Sequence, residues 1–317
     1  MFDLVNSELV AVEAELASVI RSQVDLVTDI GSHLLRAGGK RLRPALYFLC
    51  AKSGQPSLSK ILPVAIAIEL IHMATLVHDD VIDKAATRRG LPTANTRWGN
   101  HSSVLAGDYL FAKAFSLIAC DAGSRTLKVL TETICGMCEG EIIQIRDCFN
   151  PEQDEANYLD RIAKKTAIFI AASCELGAFS AGLDEVDVKA LHQYGHAIGM
   201  AFQITDDILD VTASSEQIGK PAGNDLKQGV LTLPVIYALQ HSRRGDELRQ
   251  LILAKDMSDS KLKQSMAIIH ETDAVEYSYQ RVGEYLKLAQ NSLPTSLAKD
   301  VREALIQVAD FVGLRKF

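Results

Sequence analysis

Residues 59–83, SKILPVAIAIELIHMATLVHDDVID, decide the fold: apolar residues recur at spacings of three and four until the run ends on Asp79, Asp80 and Asp83. That period is the signature of an α-helix with a buried face. The same spacing recurs over residues 101–119, 124–147, 159–182 and 187–211. Strand-like alternation is nearly absent. Proline stands at 44, 56, 63, 92, 151, 221, 234 and 294, so residues 93–150 and 152–220 are free of it and suit long helices. Gly (20) and Pro (8) are sparse for a 317-residue chain, which argues against collagen, disorder and a loop-rich β fold. The expectation is an all-α protein forming one domain over residues 1–317, with loops at 36–44, 84–93 and 212–229. Each of these loops sets Lys or Arg beside Gly.

The aspartates come twice in one pattern. LVHDDVID carries Asp79, Asp80 and Asp83, and ITDDILD carries Asp206, Asp207 and Asp210. Positions i and i+4 of a helix share a face about 6 Å apart, so Asp79 with Asp83, and Asp206 with Asp210, each aim two carboxylates at one point. Like charges so placed repel, and near a helix C-terminus they also oppose the macrodipole. A cation is required. Hard oxygen donors, few in number, suit Mg²⁺, which completes its octahedron with water and phosphate oxygens. A lone pentad could be a solvated helix end. Two pentads, each ending an apolar helix, point to two helices facing across a cavity and holding several Mg²⁺ ions and one polyanion.

Cations gather beside these carboxylates. Gly38-Gly39-Lys40-Arg41-Leu42-Arg43-Pro44 precedes a helix, Arg88 and Arg89 follow the first pentad, and Lys220 follows the second. Arg forks and backbone N–H groups at a helix start both suit phosphate. The formal charge is −7, from 33 Lys and Arg against 40 Asp and Glu, which disfavours non-specific nucleic-acid binding. Six cysteines without a secretory signal read as buried thiols of a cytoplasmic protein, Cys135-x-x-Cys138 included. Apolar runs of membrane-span length are not expected.

Taken in order, GGKRLRP, LIHMATLVHDDVID with RRG, KKT, FQITDDILD and GKPAGNDLKQGVLTLP resemble the trans-isoprenyl diphosphate synthases. These are the head-to-tail polyprenyl transferases, and the resemblance is strongest to the long-chain heptaprenyl and octaprenyl type. It implies an all-α bundle around a deep central cavity, usually homodimeric and in some cases paired with a non-catalytic second subunit. By the same resemblance Asp79, Asp80, Asp83, Asp206, Asp207 and Asp210 bind three Mg²⁺ ions and the allylic diphosphate, with Asp79, Asp83, Asp206 and Asp210 as the metal ligands. Lys40, Arg43, His72 and Arg89 hold isopentenyl diphosphate, and Arg88, Lys165, Thr166, Gln203 and Lys220 hold the allylic prenyl diphosphate. The implied chemistry is ionisation of the allylic diphosphate, attack by the isopentenyl double bond and loss of a proton. Metal and cationic side chains stabilise the leaving group, so no side-chain nucleophile is needed.

One turn before Asp79 stand Ala74 and Thr75. A bulky residue there would plug the space beneath the diphosphate, so small ones predict a product of C25 or longer, in the C30–C50 range of quinone side chains. A shorter-chain synthase is the nearest alternative. A cyclising terpene synthase lacks a use for the second DDILD and for GGKRLRP. A His-Asp metal phosphohydrolase, suggested by His72 and His78-Asp79, leaves the second pentad and the basic loops without a role.

Overall fold

A computed structural model describes residues 2–54, 56–121, 123–212 and 223–314. Lys220 and the C-terminal Arg315-Lys316 lie outside the described residues. The described chain is all-α apart from one two-residue β-hairpin. It gathers into two compact units. The first comprises residues 1–131, 173–189 and 296–305, and the second 132–172, 190–295 and 306–317.

In the first unit lie α1 (Asn6–Val19), α2 (Asp25–Arg36), α3 (Leu42–Ala51), α4 (Leu58–Ile82) and α5 (Ala94–Asp121). Helix α4 is the apolar run that ends on the first aspartates. Ile61, Ile66, Ile68, Leu70, Ile71 and Val77 are buried along it, and it packs against α5, α3 and α1. Burial of each such side chain is worth roughly 1.5–3 kcal/mol, enough to tolerate the backbone hydrogen bond lost at Pro63. Both α4 and α5 reach the length and mean hydropathy of a membrane span, although Glu69 in α4 and Asp108 and Lys113 in α5 break the uncharged run. In α4 67% of the apolar window is buried in the protein, as in a core helix; in α5 the figure is 33%. Helix α5 breaks at Gly99, whose φ of 80° and ψ of 162° leave helical space.

Helix α6 (Gly123–Arg146) leads into the second unit. There follow α7 (Glu155–Ile162), a π-helical turn at Ala163–Ala167, α8 (Ile168–Ser180) and α9 (Glu185–Thr212). Asp154 caps α7 by accepting the Asn157 N–H, while the Asn157 side chain accepts from the Asp154 N–H. The expected single helix over 159–182 is therefore two helices joined by the π turn. The rest is α10 (Asn224–Lys227), α11 (Leu233–His241), α12 (Gly245–Leu253), α13 (Asp259–His270), α14 (Ala274–Ser292) and α15 (Lys299–Gly313). Helix α11 packs against α14, α12, α13 and α7 within the second unit.

The cysteine expectation is corrected: Cys50 and Cys174 are buried, Cys148 is partly so, and Cys120, Cys135 and Cys138 are exposed. Cys135 and Cys138 sit three apart on α6 and share its outer face, a register that an apolar count does not fix.

Candidate active site

In the first unit α4 delivers its pentad at its C-terminus. The Asp83 N–H donates to the Asp79 carbonyl over 2.8 Å, so the helix holds to the last aspartate and the two carboxylates are an i, i+4 pair. Both are half-buried. Asp80 behaves differently: it is 2% exposed, and its Oδ1 accepts from Arg88 Nε over 2.7 Å. A buried carboxylate needs such a partner. Arg88 thus holds the pentad from behind, an arrangement that spacing alone does not show.

The hairpin Thr87–Arg88 with Leu91–Pro92 puts Arg88 there. Its turn residues Arg89 and Gly90 have φ of 51° and 77°, as a tight two-residue turn requires. Thr93 Oγ1 donates to the Ala85 carbonyl over 2.7 Å, and the His33 ring meets the Pro92 carbonyl at 2.8 Å, which fixes the hairpin's base. Trp98 packs edge-on to His33, beside Ile30 and Leu34. The Arg89 guanidinium then lies on the basic loop. A Cβ on Gly39 would stand 2.9 Å from Arg89 Nη1, so the guanidinium rests close against the loop backbone.

Of the loop's three cations, Lys40 is exposed and Arg43 half-buried, whereas Arg41 turns inward. Arg41 takes a left-handed φ of 48° at the head of α3, donates to Glu69 Oε1 over 2.7 Å and also pairs with Glu13. Glu69 is 2% exposed on α4, where burial raises its pKa against the pull of Arg41 and Arg43. Arg43 Nη1 lies 3.4 Å from His72 Nε2. Burial lowers Arg43 to about 10, with Glu69 and Asp79 opposing, so it stays cationic at neutral pH. His72 is held well below its ordinary 6.5, by burial first and then by Arg43, Arg89, Arg88 and Arg41. It is a neutral imidazole whose Nε2 accepts from Arg43. Arg43, His72 and Arg89 therefore gather beside α4, while Lys40 is exposed on the loop that precedes Arg43. His78 goes elsewhere: its Nε2 meets the Val104 carbonyl of α5 at 3.1 Å, and Gly107 leaves space for the ring. The two histidines serve different partners, which removes the phosphohydrolase arrangement. Ala74 is fully buried, while Thr75 is half-buried with its hydroxyl on the His72 carbonyl at 2.9 Å.

In the second unit α9 repeats the scheme. Asp206 and Asp210 are half-buried and Asp207 is 4% exposed. Asp207 Oδ2 accepts from the Tyr158 hydroxyl over 2.7 Å and Oδ1 from Gln203 Nε2 over 2.8 Å. Gln203 Oε1 in turn accepts from Thr166 Oγ1 over 2.7 Å. Burial, with Asp225 adding, pushes Asp207 up to about 8; burial and Asp207 hold the Tyr158 phenol well above 10. The Asp210 carboxylate accepts the Asn224 and Asp225 N–H groups at 3.1 and 3.2 Å, and its carbonyl accepts from the Gly223 N–H at 2.7 Å.

Lys165 and Thr166 stand on the π turn, a wound-out helix segment of the kind that often re-aims side chains at functional sites. Lys165 Nζ pairs with Glu141 Oε2 on α6 at 2.6 Å. A Cβ on Gly140 would stand 2.9 Å from the Lys165 backbone nitrogen, so glycine there permits the approach. Sequence reasoning misses Glu69, Tyr158 and Arg161, and leaves Glu141 without a role. A lone glutamate inside the apolar run of α4 is a legible signal for Glu69; the others carry none.

The donor set fits Mg²⁺: each pentad offers two half-buried carboxylates, hard oxygen donors of the kind that ion takes together with water and phosphate oxygens. The sequence model of the polyprenyl synthetase family matches residues 24–269. The chain belongs to the polyprenyl synthetase family. Across all of this chain and 98% of the relative, it is 44% identical to heptaprenyl diphosphate synthase component 2 of Geobacillus stearothermophilus. Among solved structures, heptaprenyl diphosphate synthase from Staphylococcus aureus superposes with a TM-score of 0.92 at 35% identity, covering 98% of each chain. Polyprenyl synthase from Caulobacter crescentus, complexed with calcium and isoprenyl diphosphate, superposes at 0.93 and 34% identity over 99% of this chain and 96% of that one. This polyprenyl synthetase is thus a prenyltransferase with the all-α fold expected from its sequence.

Proposed function

We propose that this polyprenyl synthetase condenses isopentenyl diphosphate with an allylic prenyl diphosphate, head to tail, into a long-chain all-trans polyprenyl diphosphate. The observation that carries it is the shared design of the pentads: an outer i, i+4 carboxylate pair, a middle aspartate held inside the protein, and cations gathered next to the first pair. The names of the similar synthases support the long-chain class.

Asp79, Asp83, Asp206 and Asp210 would hold the metal, three Mg²⁺ ions in all. When bound, Mg²⁺ supplies Lewis-acid stabilisation of the allylic diphosphate as it departs. Arg88, Lys165 and Lys220 add positive charge to the same leaving group. Arg43, Arg89 and Lys40 fix isopentenyl diphosphate, with neutral His72 orienting the Arg43 fork by accepting one of its N–H groups. Scission of the allylic C–O bond leaves an allylic cation. Thr166, its hydrogen given to Gln203 Oε1, would offer its lone pairs near the cation, the isopentenyl double bond forms the new C–C bond, and the released diphosphate takes the proton lost. Thr75, half-buried below Asp79, forms part of the floor that lets the product grow to C30–C50. The exposed apolar face of α5, with Leu105 67% exposed and Val104 39%, is the surface for a second copy of the chain in a cytoplasmic homodimer. The relative's designation as a component supports a further, non-catalytic subunit as the other assembly.

The test is elongation of farnesyl diphosphate with labelled isopentenyl diphosphate and Mg²⁺, products resolved by length. A ladder ending at C25 or longer and lost on chelation is expected; a product stopping at C20, or farnesyl diphosphate left unextended while a shorter allylic primer is extended, selects the shorter-chain alternative.

A further inference from the structure

Tyr158 lies on α7, away from both pentads in sequence, and is fully buried. Its hydroxyl nevertheless reaches the middle aspartate of the second pentad at 2.7 Å. Arg161, one turn on, is 3% exposed and is itself tied down, to Gln153 Oε1 at 2.8 Å and to the Leu231 carbonyl at 2.6 Å. Its guanidinium lies 5.6 Å from the Tyr158 ring centroid, so the ring has little freedom to leave. Burying a phenol and a carboxylate against each other is costly unless every polar atom finds a partner, and here the partners form one directed chain. Tyr158 donates to one oxygen of the Asp207 carboxylate and the Gln203 amide N–H donates to the other, and both bonds favour the ionised form against burial. That choice leaves Gln203 Oε1 facing Thr166, whose hydroxyl hydrogen it takes at 2.7 Å. With its hydrogen committed, the Thr166 oxygen can present only lone pairs elsewhere.

We propose that Tyr158 is a positioning residue of the prenyl transfer: through Asp207 and Gln203 it fixes the direction of the Thr166 hydroxyl and the rotation of the second pentad. This rests on the prenyl-transfer function proposed above. The proton order runs from Tyr158 to Asp207, from Gln203 to Asp207 and from Thr166 to Gln203, so removing the first donor frees Asp207 to turn and the amide to flip. Loss of a donor to a buried carboxylate beside the metal ligands is expected to cost about 10-fold or more in the function that carboxylate positions.

The experiment compares wild type, Tyr158→Phe, Thr166→Ala and the double variant in the full chain. Tyr158→Phe is expected to lower kcat about tenfold or more while leaving the KM for isopentenyl diphosphate unchanged, since that substrate is assigned to the other unit. Calorimetric titration with Mg²⁺ and inorganic diphosphate, without turnover, should show about tenfold weaker binding. Because the two residues act through one chain, Tyr158→Phe should cost little more once Thr166 is alanine. Multiplicative losses in the double variant, or a Tyr158→Phe enzyme with unchanged kcat and unchanged Mg²⁺-diphosphate binding, overturn the proposal. Tyr158→Trp serves as a second variant: a loss of folding there together with an inactive but folded Tyr158→Phe still supports it, because the phenylalanine keeps the packing. Wild type that does not elongate any primer defeats the prenyl-transfer function instead, and the two failures are distinct.

Discussion

At the residue scale, each pentad divides its aspartates into two kinds. Asp80 and Asp207 are buried and held by Arg88 and by Tyr158 with Gln203, while the outer aspartates stay half-buried. Asp79→Ala should therefore abolish elongation, by about a thousandfold or more if it removes a transition-state interaction. Its cost in melting temperature should be smaller than that of losing a buried aspartate, since relief of like-charge repulsion, about 0.3 kcal/mol, offsets part of the lost attraction to Arg43. Asp80→Ala should instead destabilise the fold, by ~3 kcal/mol, because it leaves Arg88 without its buried partner. Product assays and thermal melts on both variants check this division. The pairs are legible from spacing, but their inner partners are not, since Arg88 reaches Asp80 only through the hairpin turn. His72 adds a pH signature. Its folded pKa is depressed by burial and by Arg43, Arg89, Arg88 and Arg41, so below about 6.5 the unfolded chain binds the proton more readily. The stability contributed by neutral His72 is present above that pH and is lost as pH falls. His72→Gln should flatten the decline in melting temperature between about pH 7.5 and 5.5; an unchanged slope would show that His72 is not the group responsible. The charges facing it also include Glu69, which titrates the other way, so the comparison of variant with wild type isolates the histidine.

At the element scale, α4 and the π turn do the positioning. The long apolar run marks α4 almost to the residue, because a segment buried on most of its sides must pair its backbone groups within itself, as a helix does. The π turn has no such signal: Gly140 and the Lys165–Glu141 pair make room for it and hold it from another helix. Gly140→Ala should push the π turn away from α6 and cost about 1–3 kcal/mol, measured by denaturant unfolding. A loss of prenyl transfer larger than that of stability is expected, since Lys165 and Thr166 move together. Within α4, Glu69→Ala should cost about 1–3 kcal/mol by removing one of the two carboxylates that Arg41 holds, with Glu13 left as the other, and calorimetry would register it. The loop 36–44 is visible in sequence as a basic, glycine-rich segment. Only the structure shows that Arg41 serves the core while Arg43 and Arg89 gather beside it and Lys40 is exposed.

At the scale of the molecule, the all-α class and the family follow from motif order along nearly the whole chain. What composition cannot give is which small residue of the Ala74-Thr75 pair is accessible. Ala74 is fully buried in the first unit, so Ala74→Phe should overpack the core, by about 1–3 kcal/mol, as well as altering product. Thr75→Phe should shorten the product with less effect on stability, read by chromatography of the polyprenols and a melt of the same sample. Equal product lengths from Thr75→Phe and wild type would remove Thr75 from the floor. The central claim is that two aspartate pairs and their cations drive prenyl chain growth. Its most direct test is incubation of the purified protein with Mg²⁺, labelled isopentenyl diphosphate and farnesyl diphosphate, with Asp79→Ala and chelator as controls. A ladder ending at one long product, absent from both controls, is the expected result; a folded, Mg²⁺-replete protein that extends no allylic primer would contradict it.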